Sequence, residues 1–280
     1  MLLFFSFYVK NIANNIKNDY NFSMARKFFI ESEKSFELGQ QFNVDGYEFN
    51  HIVNVLRYNI GDEICVINGS GTDYFCKIKE ICKKYIVLKV VDMKDNNSET
   101  ISNVTMFQAL VKGEKFEFII QKLTELGVKN FVPFESEFCQ VKKNTTKLAR
   151  LEKISIEALK QCGRSKKVEI SDILSFDEMI EKLKNFDKVI FAYEKSNEEL
   201  KKEDFFNCEG KLVSNVAIIV GSEGGFSERE NEKISKLNNV KQVSLGNRIL
   251  RAETASISLT SVVMFLLNEW VKRWKYVCLP

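Results

Sequence analysis

Two glycine-punctuated segments near the C-terminus have the residue types and spacing expected of a ligand site. VGSEGGFSERE (Val220–Glu230) and LGNRILRAETA (Leu245–Ala255) each follow an apolar, β-branched run and each precede a helical pattern. Three glycines within Gly221–Gly225 allow positive φ angles and let the backbone approach a ligand closely. Because a strand, a glycine turn and a helix together form the ligand crevice of α/β proteins, two such loops side by side predict one pocket.

The glycine pattern alone does not identify a cofactor. GxxGG matches neither the dinucleotide fingerprint nor the phosphate-binding loop that ends in Gly-Lys-Ser/Thr. A plain structural connection is the competing interpretation, in which Glu253 only complements the dipole of the helix that it begins. Ser227, followed three residues later by Glu230, is a capping box and predicts a helix start.

Both segments resemble the SAM-binding loops of the SPOUT class of RNA methyltransferases, and specifically those of the RsmE family of 16S rRNA (uracil-N3) methyltransferases. That family has G-P-E-G-G-F and then L-G-x-R-I-L-R-x-E-T-A, where this chain has GSEGGF and LGNRILRAETA. Ser222 and Asn247 stand where the family usually has proline, which bears on loop rigidity and cofactor affinity. Further blocks resemble the family in the same order: MARKFF (from Met24), HIVNVLRYNIGDEI (from His51), KGEKFEFIIQKLTELGV (from Lys112) and EALKQCGRSKKVEI (from Glu157).

The resemblance implies a SAM-dependent enzyme that methylates N3 of a uridine in 16S rRNA. This reaction removes a weakly acidic imide proton, and we assign Glu253 as the general base and Arg251 as the group that stabilises negative charge on a uracil oxygen. Alternatively, Glu253 caps backbone amides and Arg251 holds an RNA phosphate. By resemblance, the residues around SAM are Ala192, Tyr193, Gly221, Ser222, Glu223, Gly225, Leu245, Gly246, Ile249, Leu250 and Thr254.

A basic cluster follows the helix that ends at Gln161-Cys162-Gly163. By itself, such a cluster is typical of a solvated helix end that suits the helix dipole. The family has the same block, and the resemblance therefore favours an RNA contact. His51 has a competing role as a packed, hydrogen-bonded residue. The candidate RNA-binding residues are Arg26, Lys27, His51, Arg57, Gln161, Arg164, Lys166 and Lys167.

Composition restricts the remaining functions. The 280 residues are 45% hydrophobic with a net charge of +3, so any RNA footprint must be a local patch. Seven scattered cysteines without C-x-x-C spacing, and a single histidine, predict reduced thiols in a cytoplasmic protein without a metal site or disulfides. The apolar first nine residues are too short to span a membrane, and no membrane association is expected.

The N-terminal part of the chain shows a pattern of short strands. Residues 1–23 are predicted to be a disordered or non-native extension, with Met24 as the functional start. Residues 24–93 are predicted to form a small β-barrel, which the resemblance identifies as a PUA-like RNA-binding domain, and residues 94–101 are predicted to be a linker. The predicted elements are a helix at Tyr47–Leu56 and strands at Lys27–Ile30, Glu63–Ile67, Thr72–Ile81 and Tyr85–Val91.

Beyond the linker, residues 102–280 alternate between strands and helices, which predicts an α/β domain with a mostly parallel sheet and helices on both faces. The helix Lys115–Leu126 presents an apolar stripe and stops at Gly127. The resemblance identifies a SPOUT domain with a deep trefoil knot. The predicted strands are Val104–Val111, Asn130–Phe134, Lys188–Tyr193, Val216–Val220 and Val240–Leu245.

A homodimer is also implied by the resemblance, with the knot and the C-terminal helix, about Ala252–Trp274, at the interface. Apolar residues nearly encircle that helix and call for a partner. They are Val262, Val263, Phe265, Leu266, Trp270 and Trp274.

Two other functions remain alternatives. A non-catalytic rRNA-binding or assembly factor would keep the fold but, through Ser222 and Asn247, no longer hold SAM. A ribose 2′-O methyltransferase would use the same class of fold on a hydroxyl group. Whether naked rRNA or the assembled small subunit is the substrate stays open at this point.

Overall fold

The computed structural model describes residues 26–32, 34–143 and 146–271, and the chain divides into two compact units. Of the described residues, unit 1 contains those up to Glu99 together with Leu159–Lys167, and unit 2 contains those from Thr100 to Ala158 and from Val168 onward. The sequence analysis divided the chain at one linker, residues 94–101. The segment Leu159–Lys167 follows that linker in the sequence and nevertheless belongs to unit 1. The predicted extension at 1–23, the start at Met24, and Trp274 lie outside the described residues.

Unit 1 is built on a five-stranded sheet in the order β1-β3-β4-β5-β2. The pairs are antiparallel except for β1 and β3, which run parallel. Within the described residues β1 and β2 are the edges of an open sheet, so the predicted closed barrel is not confirmed. The strands are β1 (Lys27–Phe29), β2 (Gln41–Asp45), β3 (Glu63–Ile67), β4 (Thr72–Ile81) and β5 (Tyr85–Asp95).

Strand β2 is absent from the sequence prediction because its pattern is weak. The five residues QFNVD do alternate between polar and apolar types, but only Phe42 and Val44 are apolar, and a signal this short was overlooked. Strand β5 continues to Asp95 and therefore includes the first two residues of the predicted linker. The predicted helix Tyr47–Leu56 is present, but as α1 (Gly46–Asn50) followed by a π-helical turn over His51–Val55.

Unit 2 contains a six-stranded sheet in the order β11-β9-β10-β6-β7-β8, and every neighbouring pair is parallel. The predicted parallel sheet is thus confirmed. The two-residue strand β8 is the one that the sequence pattern did not indicate. The strands are β6 (Asn103–Ala109), β7 (Asn130–Phe134), β8 (Glu169–Ile170), β9 (Lys188–Ala192), β10 (Asn215–Val220) and β11 (Val240–Val243).

Helices cover both faces of this sheet, as predicted. Along β10, Val216 and Ile218 point to one apolar cluster while Ala217 and Ile219 point to the other, as the alternation of side chains along a strand requires. The first cluster includes residues of α2 (Gly113–Leu126), α3 (Leu148–Cys162) and α6 (Ala252–Leu266). The second includes residues of α4 (Phe176–Leu183) and α5 (Glu228–Ser235).

Helix boundaries follow local sequence signals. Helix α2 ends at Gly127, whose φ of 95° is left-handed, and α5 begins with the predicted capping box of Ser227 and Glu230. Helix α4 begins with a second capping box, Ser175 with Glu178, which is a signal that the sequence analysis overlooked. Helix α6 ends at Leu266, earlier than predicted, and in the described ranges no helix has the length and apolar character needed to cross a membrane.

Candidate functional site

The carboxyl ends of three neighbouring strands bring the glycine-rich segments of unit 2 together. Strand β9 lies between β10 and β11, and the Tyr193 amide at its end donates to the Val243 carbonyl at 3.0 Å. We call the segment after β10 loop 1 (Gly221–Ser227) and the segment after β11 loop 2 (Ser244–Arg251). Since carboxyl ends of parallel strands share one edge of the sheet, both loops and Tyr193 lie at that edge.

Loop 1 is a tight turn shaped by its glycines. The Gly225 amide donates to the Ser222 carbonyl at 3.0 Å, and Gly225 has a φ of 70°. A Cβ atom on Gly221 would lie 2.9 Å from the ring of Phe226, which packs edge-on against Phe191. The glycines therefore permit both the turn and the burial of Phe226 beneath it.

Glu223 ties loop 1 to the first turn of α2. Its carboxylate accepts a hydrogen bond from Lys115 Nζ at 2.8 Å. Desolvation by burial works to raise the pKa of Glu223, but the hydrogen bonds from Lys115 and from backbone amides outweigh it and hold the pKa below its usual range. The carboxylate of Glu223, a predicted cofactor-binding residue, is therefore already paired with Lys115.

Loop 2 is the more exposed of the two loops. Gly246 has a φ of 94°, and a Cβ atom there would meet nothing within 4 Å. Ile249 is 92% exposed, although it is apolar. Leu245 and Leu250 are partly buried. Loop 2 therefore presents open space at Gly246 and an exposed apolar side chain at Ile249.

Glu253 lies in the first turn of α6, next to its N-cap residue Arg251, whose side chain makes no capping hydrogen bond. The Oε2 atom of Glu253 is buried and has no hydrogen-bond partner among the described residues, and the same holds for Oγ of Ser222. An unsatisfied buried polar atom costs about 1–3 kcal/mol. Glu253 Oε2 therefore does not cap backbone amides here. Thr254 is exposed, and Ala192 is partly buried at the end of β9.

Gln108 joins loop 1 to α6, and the sequence analysis did not select it. Its side-chain amide donates to the carbonyl of Gly221 at 3.2 Å, and its Oε1 accepts from the hydroxyl of Ser256. Gln108 is fully buried near the carboxyl end of β6. A glutamine within the apolar run VTMFQALV was the available signal, because a buried amide requires specific partners.

In unit 1, two of the candidate RNA-binding residues are buried in ion pairs. Lys27 Nζ lies 2.7 Å from an Asp73 oxygen and donates to the Gly163 carbonyl at 2.7 Å. Arg164 is 2% exposed and donates two hydrogen bonds to Glu99 Oε2, at 2.9 and 3.1 Å. These residues fasten the segment Leu159–Lys167 within unit 1, and their charges do not lie on its surface.

Glu99 carries a perturbed pKa as a result of that attachment. Burial works to raise the pKa of its carboxyl, but hydrogen bonds from the Arg164 guanidinium and from the amides of Ser165 and Lys166 outweigh burial and lower the pKa. The Glu99 carboxyl is therefore ionised at neutral pH.

His51 opens the π-helical turn and packs edge-on against Phe28, with ring centroids 5.7 Å apart. Its Nδ1 lies 3.6 Å from Glu48 Oε2, while the other Glu48 oxygen accepts from Lys160 Nζ at 2.9 Å. The ring is therefore packed and only partly exposed, but its Nδ1 has no hydrogen-bond partner among the described residues. Of the remaining candidates, Lys167 is partly buried, and those with exposed side chains are Arg26, Arg57, Gln161 and Lys166.

The cysteines that the structure describes show no metal-binding arrangement. Over the part of the chain that the structure describes, no group of three potential ligands is positioned to hold a metal ion. Six cysteines there are free thiols, and Cys278 lies outside that part. Burial raises the pKa of Cys65 and of Cys76 to about 12, so both are unreactive at neutral pH.

Comparison with known proteins shows similarity over most of the chain. A family model described as an RNA methyltransferase domain matches residues 97–264, and one described as an RNA methyltransferase PUA domain matches residues 44–91. Ribosomal RNA small subunit methyltransferase E of Bacillus subtilis (strain 168) is 34% identical, with 86% of this chain and 96% of that protein covered. The protein with the same name from Buchnera aphidicola (subsp. Acyrthosiphon pisum, strain APS) is 31% identical, with 86% and 94% covered.

Solved structures agree with that similarity. Ribosomal RNA small subunit methyltransferase E from Neisseria gonorrhoeae, bound to S-adenosyl methionine, superposes with a TM-score of 0.75 at 26% identity, covering 86% of this chain and 98% of that one. A methyltransferase structure from Legionella pneumophila with bound SAM superposes with a TM-score of 0.76 at 27% identity, covering 86% and 97%. The fold of this chain is therefore shared with these two SAM-bound structures.

Proposed function

Because this chain belongs to the RNA methyltransferase family, and within it to the ribosomal RNA small subunit methyltransferases E, we propose that it methylates N3 of a uridine in 16S rRNA with SAM as methyl donor. The observation that carries the proposal is the meeting of loop 1 and loop 2 at one edge of the parallel sheet. The relatives named for small-subunit rRNA and the two structures with bound SAM support it.

The residues of the two loops fit SAM. Backbone groups of loop 1 and loop 2 would bind the adenosine part, and the open side of loop 2 at Gly246 and Ile249 leaves room for it. The unpaired Ser222 hydroxyl, which replaces a ring of the usual proline, supplies one further polar atom in loop 1. The residues we assign to the pocket are Ala192, Tyr193, Gly221, Ser222, Glu223, Gly225, Leu245, Gly246, Ile249, Leu250 and Thr254.

When bound, SAM supplies an activated methyl group. What remains for this chain is to orient the uracil and to take the imide proton from N3. We assign the Glu253 carboxylate as the group that accepts this proton. Its buried Oε2 has no hydrogen-bond partner among the described residues. Arg251, exposed at the N-terminus of α6, would stabilise the negative charge that develops on a uracil oxygen.

Unit 1 is assigned to RNA binding as a PUA-like domain. Side chains that are exposed and cationic serve phosphate contacts best, because binding releases the counterions of the RNA. Arg26, Arg57 and Lys166 meet that requirement, and Gln161 adds an exposed amide. Lys27 and Arg164 act instead by holding Leu159–Lys167 in place.

The proposal includes a trefoil knot, a homodimer and a cytoplasmic location. After the edge strand β11, the chain turns back, and α6 packs against β10 and α2. This path supports the proposal that the C-terminal segment is threaded through a knot. The side chains of Val262 and Phe265 in α6 are exposed. This exposure supports a homodimer in which a second copy of the chain buries them. The proposed ribosomal RNA substrate supports the cytoplasmic location.

The function is tested by titrating the purified protein with SAM in a calorimeter and by mapping the methylated nucleoside by mass spectrometry. One site per chain and a methyl group on uracil N3 are the expected results, measured on naked 16S rRNA and on assembled small subunits. Absence of SAM binding would leave a non-catalytic RNA-binding factor. A methyl group on the ribose O2′ would instead identify a ribose methyltransferase.

A further inference from the structure

Gln108 is a buried polar side chain whose contacts reach two separate parts of the candidate pocket. It is 0% exposed, and its neighbours Phe107 and Ala109 in β6 are apolar. A buried amide is costly unless its donors and acceptor are all paired. Here the amide nitrogen donates to the carbonyls of Ala109 at 3.1 Å and Gly221 at 3.2 Å.

The other end of the same amide reaches α6. Ser256 is fully buried, and its hydroxyl contacts both Gln108 Oε1 and the Ala252 carbonyl, the latter at 2.8 Å. Ser256 lies one turn after Ala252 and three residues after Glu253. It therefore belongs to the start of α6, the helix that follows loop 2. One glutamine thus connects the first residue of loop 1 with the helix that begins where loop 2 ends.

We infer that Gln108 is a positioning residue that sets the spacing between loop 1 and the Glu253 turn of α6, and thereby the shape of the cofactor pocket. The apolar packing of α6 against β10 and α2 brings the two elements together, and Gln108 adds a polar contact to each of them. The inference rests on the proposed function, since the pocket is assigned to SAM there.

The test compares Gln108→Met, which keeps the length of the side chain but removes its hydrogen bonds to Gly221 and Ser256, with Thr105→Val. Thr105 is 3% exposed in the same strand and accepts from Asn130 Nδ2 at 3.1 Å, so the control also removes a buried polar group, but at a site that does not contact either loop. Backbone hydrogen exchange is measured over residues 222–226 and 252–257, together with SAM affinity by calorimetry.

Gln108→Met is expected to accelerate exchange in both segments and to weaken SAM binding about tenfold, the effect of losing about one buried hydrogen bond. Thr105→Val should lower overall stability without either change. If Gln108→Met does not fold, Ser256→Ala removes only the hydroxyl and should accelerate exchange in loop 1 although Ser256 itself lies in α6.

Unchanged exchange in loop 1 and unchanged SAM affinity in folded Gln108→Met or Ser256→Ala would overturn the inference and leave an ordinary buried amide. The exchange measurement needs no ligand. Failure of the wild-type protein to bind SAM would therefore count against the proposed function, while coupled exchange of the two segments would still support the positioning role.

Discussion

At the scale of single residues, the most informative atom is the buried Oε2 of Glu253. A carboxylate oxygen that is removed from water without a partner is destabilising, and such a cost is retained where a ligand or a reaction uses it. Its place in the first turn of α6, directly after loop 2, puts it beside the pocket rather than inside the apolar core.

Replacement of Glu253 by glutamine is expected to lower the rate constant of methyl transfer by at least about 100-fold, because general-base catalysis contributes about 10²–10⁴-fold. SAM affinity should change little, since the amide keeps the shape of the carboxyl group. Single-turnover methylation of rRNA as a function of pH measures the effect. Full turnover with an unchanged pH profile would remove Glu253 as the base, and Glu228→Gln, an exposed carboxyl of α5, is the control.

The second prediction at the scale of single residues concerns Glu99 in unit 1. Since its folded pKa lies below the ordinary value of about 4.3, the unfolded chain takes up the proton first. The stabilisation is therefore complete above that value and is lost as the pH falls through the folded pKa. Urea denaturation at several pH values should show this loss in the wild-type protein.

Glu99→Gln should reduce stability at pH 7 by about 3 kcal/mol, because it removes the carboxylate charge that lies 2.9 Å from the buried Arg164 guanidinium. The variant should also lose less stability between pH 5 and pH 3 than the wild type. Glu232→Gln, which removes an exposed carboxylate 3.9 Å from Lys236, should cost less than about 0.5 kcal/mol. Equal pH dependence of all three proteins would contradict the assignment.

At the scale of elements, the conformation of loop 1 depends on Gly225. Its φ of 70° is a region that a β-branched residue rarely adopts. Gly210 has nearly the same angle, 72°, in a turn after the short 3₁₀ helix Lys202–Phe205, where a Cβ atom would meet nothing within 4 Å. A β-branched residue would therefore be strained to a similar degree at either position.

Gly225→Val is therefore expected to abolish measurable SAM binding, because it opens the turn that the Gly225 amide closes on Ser222. Gly210→Val should show a comparable loss of thermal stability while binding SAM normally. Calorimetric titration and thermal unfolding of both variants make the comparison. Normal SAM binding by Gly225→Val would mean that loop 1 is only a connection between β10 and α5.

At the scale of the whole molecule, helix α6 carries an exposed apolar surface. Phe265 is 62% exposed and Trp270, with which it makes a T-shaped contact, is 54% exposed. Exposed aromatic side chains next to one another are typical of an interface.

Sedimentation velocity is expected to show a dimer for the wild type and a monomer for Phe265→Glu, because a charge cannot be buried unpaired at an apolar interface. Ile60→Glu, at an exposed apolar residue of unit 1, should remain dimeric. A monomeric wild-type protein would contradict the homodimer.

RNA affinity is the second property of the whole molecule. For single-stranded RNA, the slope of log affinity against log salt concentration changes by about 0.7 for each phosphate that a cationic side chain neutralises. Neutralising Arg26, Arg57 and Lys166 together should therefore make this slope shallower. The matched control neutralises three exposed lysines of unit 2, Lys184, Lys211 and Lys236, and so removes the same net charge. An unchanged slope in the first variant would exclude these residues as phosphate ligands.

Much of this protein is determined by its sequence alone. Continuous apolar runs indicated β7 and β10, and the capping box of Ser227 predicted the start of α5, because these signals act over a few neighbouring residues. The glycine loops and the family resemblance likewise depend on local motifs. The roles assigned to the individual site residues stay predictions until they are tested by mutation.

Tertiary structure alone decided the pairing of polar groups that are far apart in the chain. Gln108 and Ser256 are 148 positions apart, and Arg164 and Glu99 are 65 apart, so no local pattern relates them. The basic residues Lys27 and Arg164 looked like surface charges in the sequence, yet both are buried beside carboxylates. The reason is physical: a buried charge or amide takes its partner from whatever the fold places next to it, and burial is a property of the packed chain.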